Sequence, residues 1–386
     1  MPCYDVAFET HTLESPVQDA VDCFFLLRPE CVPLEEQVAH WLLAHPLSSA
    51  TVPSETSFAA TSLAVAARVS HIVDGIPIGD VQPPSGPTEE VAHDAYLHIQ
   101  RVSDPSGGAF VRMMLAARLT LMKDVADAPV SVAGAVLDTI DGAFADVICG
   151  VLGSETIAEW RVNRWVTRGL APLPLIRWVR GHHVFAALTQ GLLFTLQTME
   201  RAIRASQPLH VRKWADLSIR LLEGSGAALQ WTGDFPPDDY INIVRPSMMP
   251  PAAPVTLSGL MSADHRLLVR SMLELRPELD VLRQHEPGRH ARLMAALAEA
   301  YDRHIHVCER FVGDRPSILT AERTDKSGAR LLEQFKASRL KPFEGPRPTV
   351  PAMAPDTSVS TGAQAARTHV DGSPLAAPAE SDWELI

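Results

Sequence analysis

The sequence has few cysteines, no excess of positive charge and no long hydrophobic run. Its five cysteines are odd in number and widely spread, which excludes a disulfide framework. A formal net charge of −12 argues against a broad binding surface for nucleic acid or an acidic membrane, and favours small-molecule partners. The N-terminal residues lack a basic stretch followed by an apolar core, and no run approaches membrane-spanning length. We therefore expect a cytoplasmic protein that does not insert into a membrane.

What the sequence does have is apolar periodicity at helical spacing, which predicts an all-α fold. The predicted helices cover residues 16–27, 34–44, 57–73, 88–102, 109–124, 130–152, 175–206, 210–222, 257–275 and 288–312. We expect an N-terminal helical region at 1–150 and a helical domain with the chemistry at 151–340. The remainder, 341–386, is rich in Pro, Ala, Ser and Thr without periodicity, so we predict a disordered tail.

The last long predicted helix carries the residues most suited to chemistry. Steps of three and four place one stripe on this helix, formed by Leu293, Leu297, Tyr301, His304, Cys308 and Phe311. His304 and Cys308 lie one turn apart on it, close enough to act on one ligand. The spacing alone is equally compatible with a hydrogen-bonded core His beside an inert core Cys. It is also compatible with a zinc pair, although no Cys-x-x-Cys or second His/Cys pair completes four ligands.

Five segments in the second half resemble, in order and spacing, elements of the tryptophan 2,3-dioxygenase family, an all-helical haem fold. They are HVFAALTQGLLF (183–194), YINIVR (240–245), SGLMSADHRLL (258–268), RHIHVCERFVG (303–313) and TDKSG (324–328). Thr189 stands where those dioxygenases have a distal His. The His-x-x-x-Cys pair is similar to that of the haem-dependent tyrosine hydroxylases, a branch of the same superfamily found in antibiotic pathways. The first 150 residues are not covered by the resemblance.

The resemblance implies a haem b enzyme that hydroxylates L-tyrosine or a ring-substituted tyrosine ortho to its phenol oxygen, with hydrogen peroxide or O2 as oxidant. On the same resemblance, His304 is the axial iron ligand and Cys308 forms a thioether to the haem. Arg245 binds the substrate carboxylate, and Thr324 and Ser258 complete the substrate-binding set. The resemblance also implies a homo-oligomer.

Splitting the O–O bond of peroxide needs a group that moves a proton from one oxygen to the other. With Thr189 unable to do this, the candidates are His265, His182 and His183. Two other functions stay open from the sequence: an indole or tryptophan haem oxygenase that uses O2 without a thioether, and a helical binding protein without haem. The N-terminal region could complete the active site or form a separate domain.

Overall fold

A computed structural model of the protein describes residues 21–47, 61–152, 161–313 and 327–343. These residues are mostly helical, which confirms the predicted all-α class. The compact unit to which they belong ends at Phe343. The predicted disordered tail lies outside the described residues from position 344 onward.

Most of the predicted helices are present, with shifted ends. The helices are α1 (Glu35–Ala44), α2 (Ser62–Gly75), α3 (Thr88–Tyr96), α4 (Gly108–Asp127), α5 (Gly134–Leu152), α6 (Pro174–Arg204), α7 (Pro208–Thr232), α8 (Pro237–Asp239), α9 (Arg245–Ser247), α10 (Ala263–Glu274), α11 (Arg276–His285), α12 (Pro287–Val312) and α13 (Gly328–Leu340). A π-helical turn, Tyr240–Val244, joins α8 to α9, and a 3-10 turn, Gly259–Met261, precedes α10. Ser262 begins α10 because its hydroxyl accepts a hydrogen bond from the His265 amide. Proline in the first turn begins α6, α7 and α12.

Helix α7 lies at the centre and packs against α5, α6 and α12. It continues ten residues beyond its predicted end at Leu222, through Gly224 and Gly226. These glycines mark close helix contacts, since a Cβ at Gly224 would lie 2.8 Å from the Cβ of Ala143 on α5. The helix thus tolerates them because tertiary packing outweighs their low helix propensity.

A small sheet corrects the prediction for the N-terminal region. Strand β1 (Phe24–Leu27) pairs in parallel with β3 (Ile99–Ser103), and β2 (Asp80–Val81) pairs antiparallel with β3. The helices predicted at 16–27 and 88–102 are therefore wrong over these strands. Strands of four and five residues are too short to show clear alternation, and their partners lie some 75 positions away in the sequence.

The hydrophobic core continues across the predicted boundary at residue 150. Phe110 of α4 packs on Phe194 of α6 with ring centroids 4.7 Å apart, and Phe194 in turn contacts Trp214 of α7. Residues on both sides of the boundary thus share one core. None of the helices that the structure describes combines the length and apolar character of a membrane span.

Candidate active site

Five helices from the second half, α6, α7, α10, α12 and α13, line one cavity. His304 of α12, His265 of α10 and Thr189 of α6 line it, and the empty space there, including the part open to solvent, is about 740 Å³. The rest of the lining is mostly apolar and includes Phe185, Leu192, Leu222, Leu268, Met272 and Leu297. A mostly apolar cavity with a few convergent polar side chains is the usual character of cofactor and small-molecule sites.

His304 presents an uncommitted imidazole to this cavity. Among the described residues, none forms a hydrogen bond with either of its ring nitrogens. Burial lowers the pKa of His304 to about 4, so the ring is neutral at neutral pH and keeps a lone pair for a ligand. This is the form of histidine that binds metals.

Cys308 lies one turn further along α12 and is half-buried. Its sulfur is close to Tyr240, whose ring stacks on Phe311 with centroids 4.4 Å apart. Burial, assisted by Glu309, raises the pKa of the Cys308 thiol to about 11. The group at this position is therefore a neutral thiol in an apolar, aromatic environment.

His265 faces the same cavity from the first turn of α10. Its Nε2 accepts a hydrogen bond from Nη1 of Arg339 at 3.4 Å, which assigns the ring proton to Nδ1 in the neutral form. Burial, followed by the nearby Arg339 and His304, lowers the pKa of His265 to about 3. Two neutral imidazoles, His265 and His304, thus line one apolar cavity.

The N-terminal sheet fixes the start of α10. Asp264, next to His265, is buried and forms an ion pair with Arg101 of β3 at 2.8 Å. Gln190 of α6 donates from Nε2 to Asp264 Oδ1 and to the carbonyl of Leu27 in β1, both at 2.7 Å. Of the two roles left open for the N-terminal region, these contacts favour completing the site.

His182 lies near His304 but outside the set of residues that line the cavity. Its Nδ1 donates to the carbonyl of Trp178 at 2.7 Å, and its ring packs on the Trp178 ring with centroids 4.5 Å apart. Burial lowers its pKa to about 4, so its Nε2 also carries a lone pair at neutral pH. The placement keeps His182 as a second candidate for proton transfer.

His183 points from α6 toward the sheet and not into the cavity, so a role as distal base does not fit its position. Its ring is buried and stacked on Phe24 of β1, with centroids 4.7 Å apart and an interplanar angle of 13°. Its Nε2 donates to the carbonyl of Leu97, just before β3. A step of one residue turns the side chain by about 100° on a helix, which directs His183 to the sheet. It holds the sheet against α6.

Arg245 lies near Tyr240 and outside the set of residues that line the cavity. It is half-buried, and within the described part of the chain its guanidinium has neither a salt bridge nor a hydrogen bond. A cation without a partner is suited to binding an anion. Ser258 precedes the 3-10 turn, where its carbonyl accepts a hydrogen bond from the Met261 amide, and it is not part of the cavity lining. Thr324 lies outside the described residues.

Arg339 and Tyr301 also line the cavity, and the sequence did not indicate a functional role for either. Arg339 of α13 reaches in from the C-terminal side and donates to the hydroxyl of Tyr301 on α12 at 2.5 Å. Tyr301 belongs to the predicted stripe, but nothing in the sequence around Arg339 indicated a functional position. Only the packing of α13 on α12 brings the two together.

The donor set suits haem better than an isolated metal ion. Within the described ranges, no group of three or more His, Cys, Asp or Glu side chains is placed to hold a metal ion. The hypothesis of a zinc site therefore lacks a complete ligand set there. Haem iron needs only one axial imidazole from the protein. His304 lines the apolar cavity and has no hydrogen-bond partner for its ring nitrogens among the described residues, so it meets that requirement.

The chain is similar to proteins of one known family. Residues 25–309 match the family model of the SfmD 3-methyl-L-tyrosine peroxygenase. A 3-methyl-L-tyrosine peroxygenase of Streptomyces lavendulae is 34% identical over 271 residues, which cover 68% of this chain and 73% of that protein. The crystal structure of SfmD reduced by soaking with sodium hydrosulfite has a TM-score of 0.60 and 26% identity, covering 75% of this chain and 98% of that one. The chain therefore belongs to the SfmD 3-methyl-L-tyrosine peroxygenase family.

Proposed function

We propose that this protein is a haem-dependent peroxygenase that hydroxylates L-tyrosine or a ring-substituted tyrosine ortho to its phenol oxygen, within a natural-product pathway. The observation that carries the proposal is the pair of neutral imidazoles, His304 and His265, lining one apolar cavity with Cys308 a turn beyond His304. The activity of the Streptomyces relative supports peroxide as oxidant and a tyrosine derivative as substrate. A reduced form of SfmD fits a redox-active group in the family.

His304 and Cys308 would hold the cofactor. A neutral imidazole is a usual axial ligand of haem iron, and the iron, when bound, supplies the chemistry that activates peroxide for oxygen transfer. The Cys308 thiol can add across a vinyl C=C bond, its sulfur bonding to one carbon and its hydrogen passing to the other. A saturated thioether results, without any change in the number of electrons.

His265 is the first choice for proton transfer. Its neutral ring can take a proton from one oxygen of hydrogen peroxide at Nε2, when the peroxide replaces the long 3.4 Å contact from Arg339, and return it to the other oxygen. The Thr189 hydroxyl donates to the carbonyl of Phe185 at 2.9 Å, so it is committed to its own helix. His182, close to His304 and also neutral, is the second choice.

Arg245 would bind the carboxylate of the amino acid. Its guanidinium has no acidic partner in the described structure, and its planar fork can grip a carboxylate with two parallel hydrogen bonds. The neighbouring Tyr240 and Trp178 rings offer an aromatic surface with centroids 5.6 Å apart. Thr324 and Ser258 remain predictions as further contacts to the amino-acid head group.

The deciding experiment is a visible spectrum of the purified protein followed by its intact mass under denaturing conditions. We expect a Soret band and a mass increased by one haem, and turnover of tyrosine or 3-methyl-L-tyrosine with peroxide. A pigment that leaves in acidified organic solvent after turnover would instead favour an indole oxygenase that uses O2. A colourless protein that takes up no added haem would favour a binding protein.

A further inference from the structure

Arg339 places a positive charge in the apolar cavity without a carboxylate beside it. One turn earlier on α13, Lys336 is paired with Asp302 at 2.5 Å. For Arg339, no such acid is present among the described residues, and its polar contacts are the Tyr301 hydroxyl at 2.5 Å and His265 Nε2 at 3.4 Å. Among the described residues lining the cavity, Arg339 is the only Arg or Lys.

The pair formed by Arg339 and Tyr301 offers hydrogen-bond donors, and among the described residues no negatively charged acceptor lies beside it. Arg339 donates to the Tyr301 oxygen, so the phenol hydrogen of Tyr301 is left to donate elsewhere. Burial raises the pKa of Tyr301, which keeps that hydrogen in place. Arg339 is half-buried, with its guanidinium over the Tyr301 and Phe335 rings, and a partly desolvated cation is stabilised by an anionic partner. A carboxylate, which accepts several hydrogen bonds, is the complement of this set.

The position of the pair along α12 indicates whose carboxylate it binds. Tyr301 precedes His304 by three residues, whereas Cys308 follows it by four, so the two lie about one turn to either side. In protoporphyrin the vinyl groups and the propionates occupy opposite edges. If His304 held a haem with a vinyl edge at Cys308, Tyr301 would lie on the side where the propionates are expected.

We propose that Arg339 and Tyr301 form a carboxylate site that binds a haem propionate. The inference rests on the haem enzyme proposed above and adds the residues that anchor the other edge of the cofactor. Arg245, beside Tyr240 on the Cys308 side, is then left for the carboxylate of the amino acid.

The test compares porphyrins with and without free propionates. Full-length Cys308→Ala protein, produced under haem limitation, binds porphyrin reversibly and is titrated with haemin and with haemin dimethyl ester. We expect haemin to bind about 10- to 100-fold more tightly, as a charge-assisted hydrogen bond allows, and Arg339→Gln to remove most of this preference. Arg339→Lys should keep part of it. Lys336→Gln, which removes the same charge from the same helix, should leave it unchanged.

The other outcomes overturn the proposal in distinguishable ways. If Arg339→Gln keeps the preference for haemin, the pair does not bind a propionate. If Arg339→Gln instead loses the preference for L-tyrosine over tyramine, Arg339 binds the carboxylate of the substrate. Arg245→Gln, tested with the same two substrates, is the variant for comparison. If the Cys308→Ala parent binds both porphyrins equally, only the propionate site is wrong. If it binds neither, the haem assignment fails as well.

Discussion

Replacing His183 with Gln should remove a defined part of the protein's sensitivity to acid. In the folded protein His183 is buried between Phe24 and α6, and burial lowers its pKa to about 3. In the unfolded chain its pKa returns to about 6.5. Between these two values the unfolded chain binds a proton that the folded protein does not. The free energy of unfolding therefore falls as the pH falls through this window, and rises as the pH rises.

The size of the effect follows from the same two pKa values. The slope approaches about 1.4 kcal/mol per pH unit well inside the window, and integration from pH 7 to pH 5 gives a loss of ~2 kcal/mol from this single group. Gln at position 183 can still donate to the Leu97 carbonyl but has no proton to gain. The variant should thus lose ~2 kcal/mol less than the wild type over that interval, whatever its stability at pH 7.

Urea unfolding followed by far-ultraviolet circular dichroism at pH 7, 6 and 5 measures the difference directly. The other titratable groups contribute equally to the pH dependence of the free energy of unfolding in both proteins, so they cancel in the difference. Between pH 7 and pH 9 the two stability curves should run parallel, which is the internal control. Parallel curves between pH 7 and pH 5 as well would refute the argument that His183 is held neutral. Because the His183 ring lies outside the cavity lining, the variant should keep the proposed hydroxylase activity at pH 7.

Four further outcomes are expected around the cavity. Cys308→Ala should bind haem but release it to acidified organic solvent, and its denatured mass should lack the haem. His304→Ala should lose or shift the Soret band and lose activity, and an unchanged spectrum would exclude His304 as the axial ligand. Arg245→Ala should raise KM for the amino acid about 10-fold or more with the Soret band unchanged, and an unchanged KM would make Arg245 structural. His265→Ala should lower kcat by ~10²-fold while His182→Ala has a mild effect, with the reverse pattern assigning proton transfer to His182.

The helix with His304 and Cys308 was predictable because its information is local. Apolar residues at steps of three and four define the face of a long amphipathic helix, and α12 spans Pro287–Val312 where residues 288–312 were predicted. The same rule succeeds for α4, α5 and α6. In each case a long periodic stretch needs no distant partner to be recognised.

The features that the sequence did not indicate depend on distant contacts. Strand β1 exists because β3 pairs with it, and four residues are too few for a pattern of their own. His182 and His183 are adjacent and chemically identical, so only the position of the sheet separates their roles. Arg339 was missed because a single Arg on a polar helix has no distinguishing sequence pattern. Its contact with Tyr301 depends on the packing of α13 against α12.

The contact between Asp264, Arg101 and Gln190 also bears on how the protein folds. Its partners are separated by 163 and 74 positions in the sequence, and the neighbouring β1–β3 pair joins segments about 75 positions apart. Non-local contacts of this kind form slowly, because each must close a long loop before it contributes stability. The helices of the second half can pair through short connections before that, so we expect His304 to be in place earlier than His265. The proposed proton-transfer residue, His265, would then be the last part of the site to form during folding.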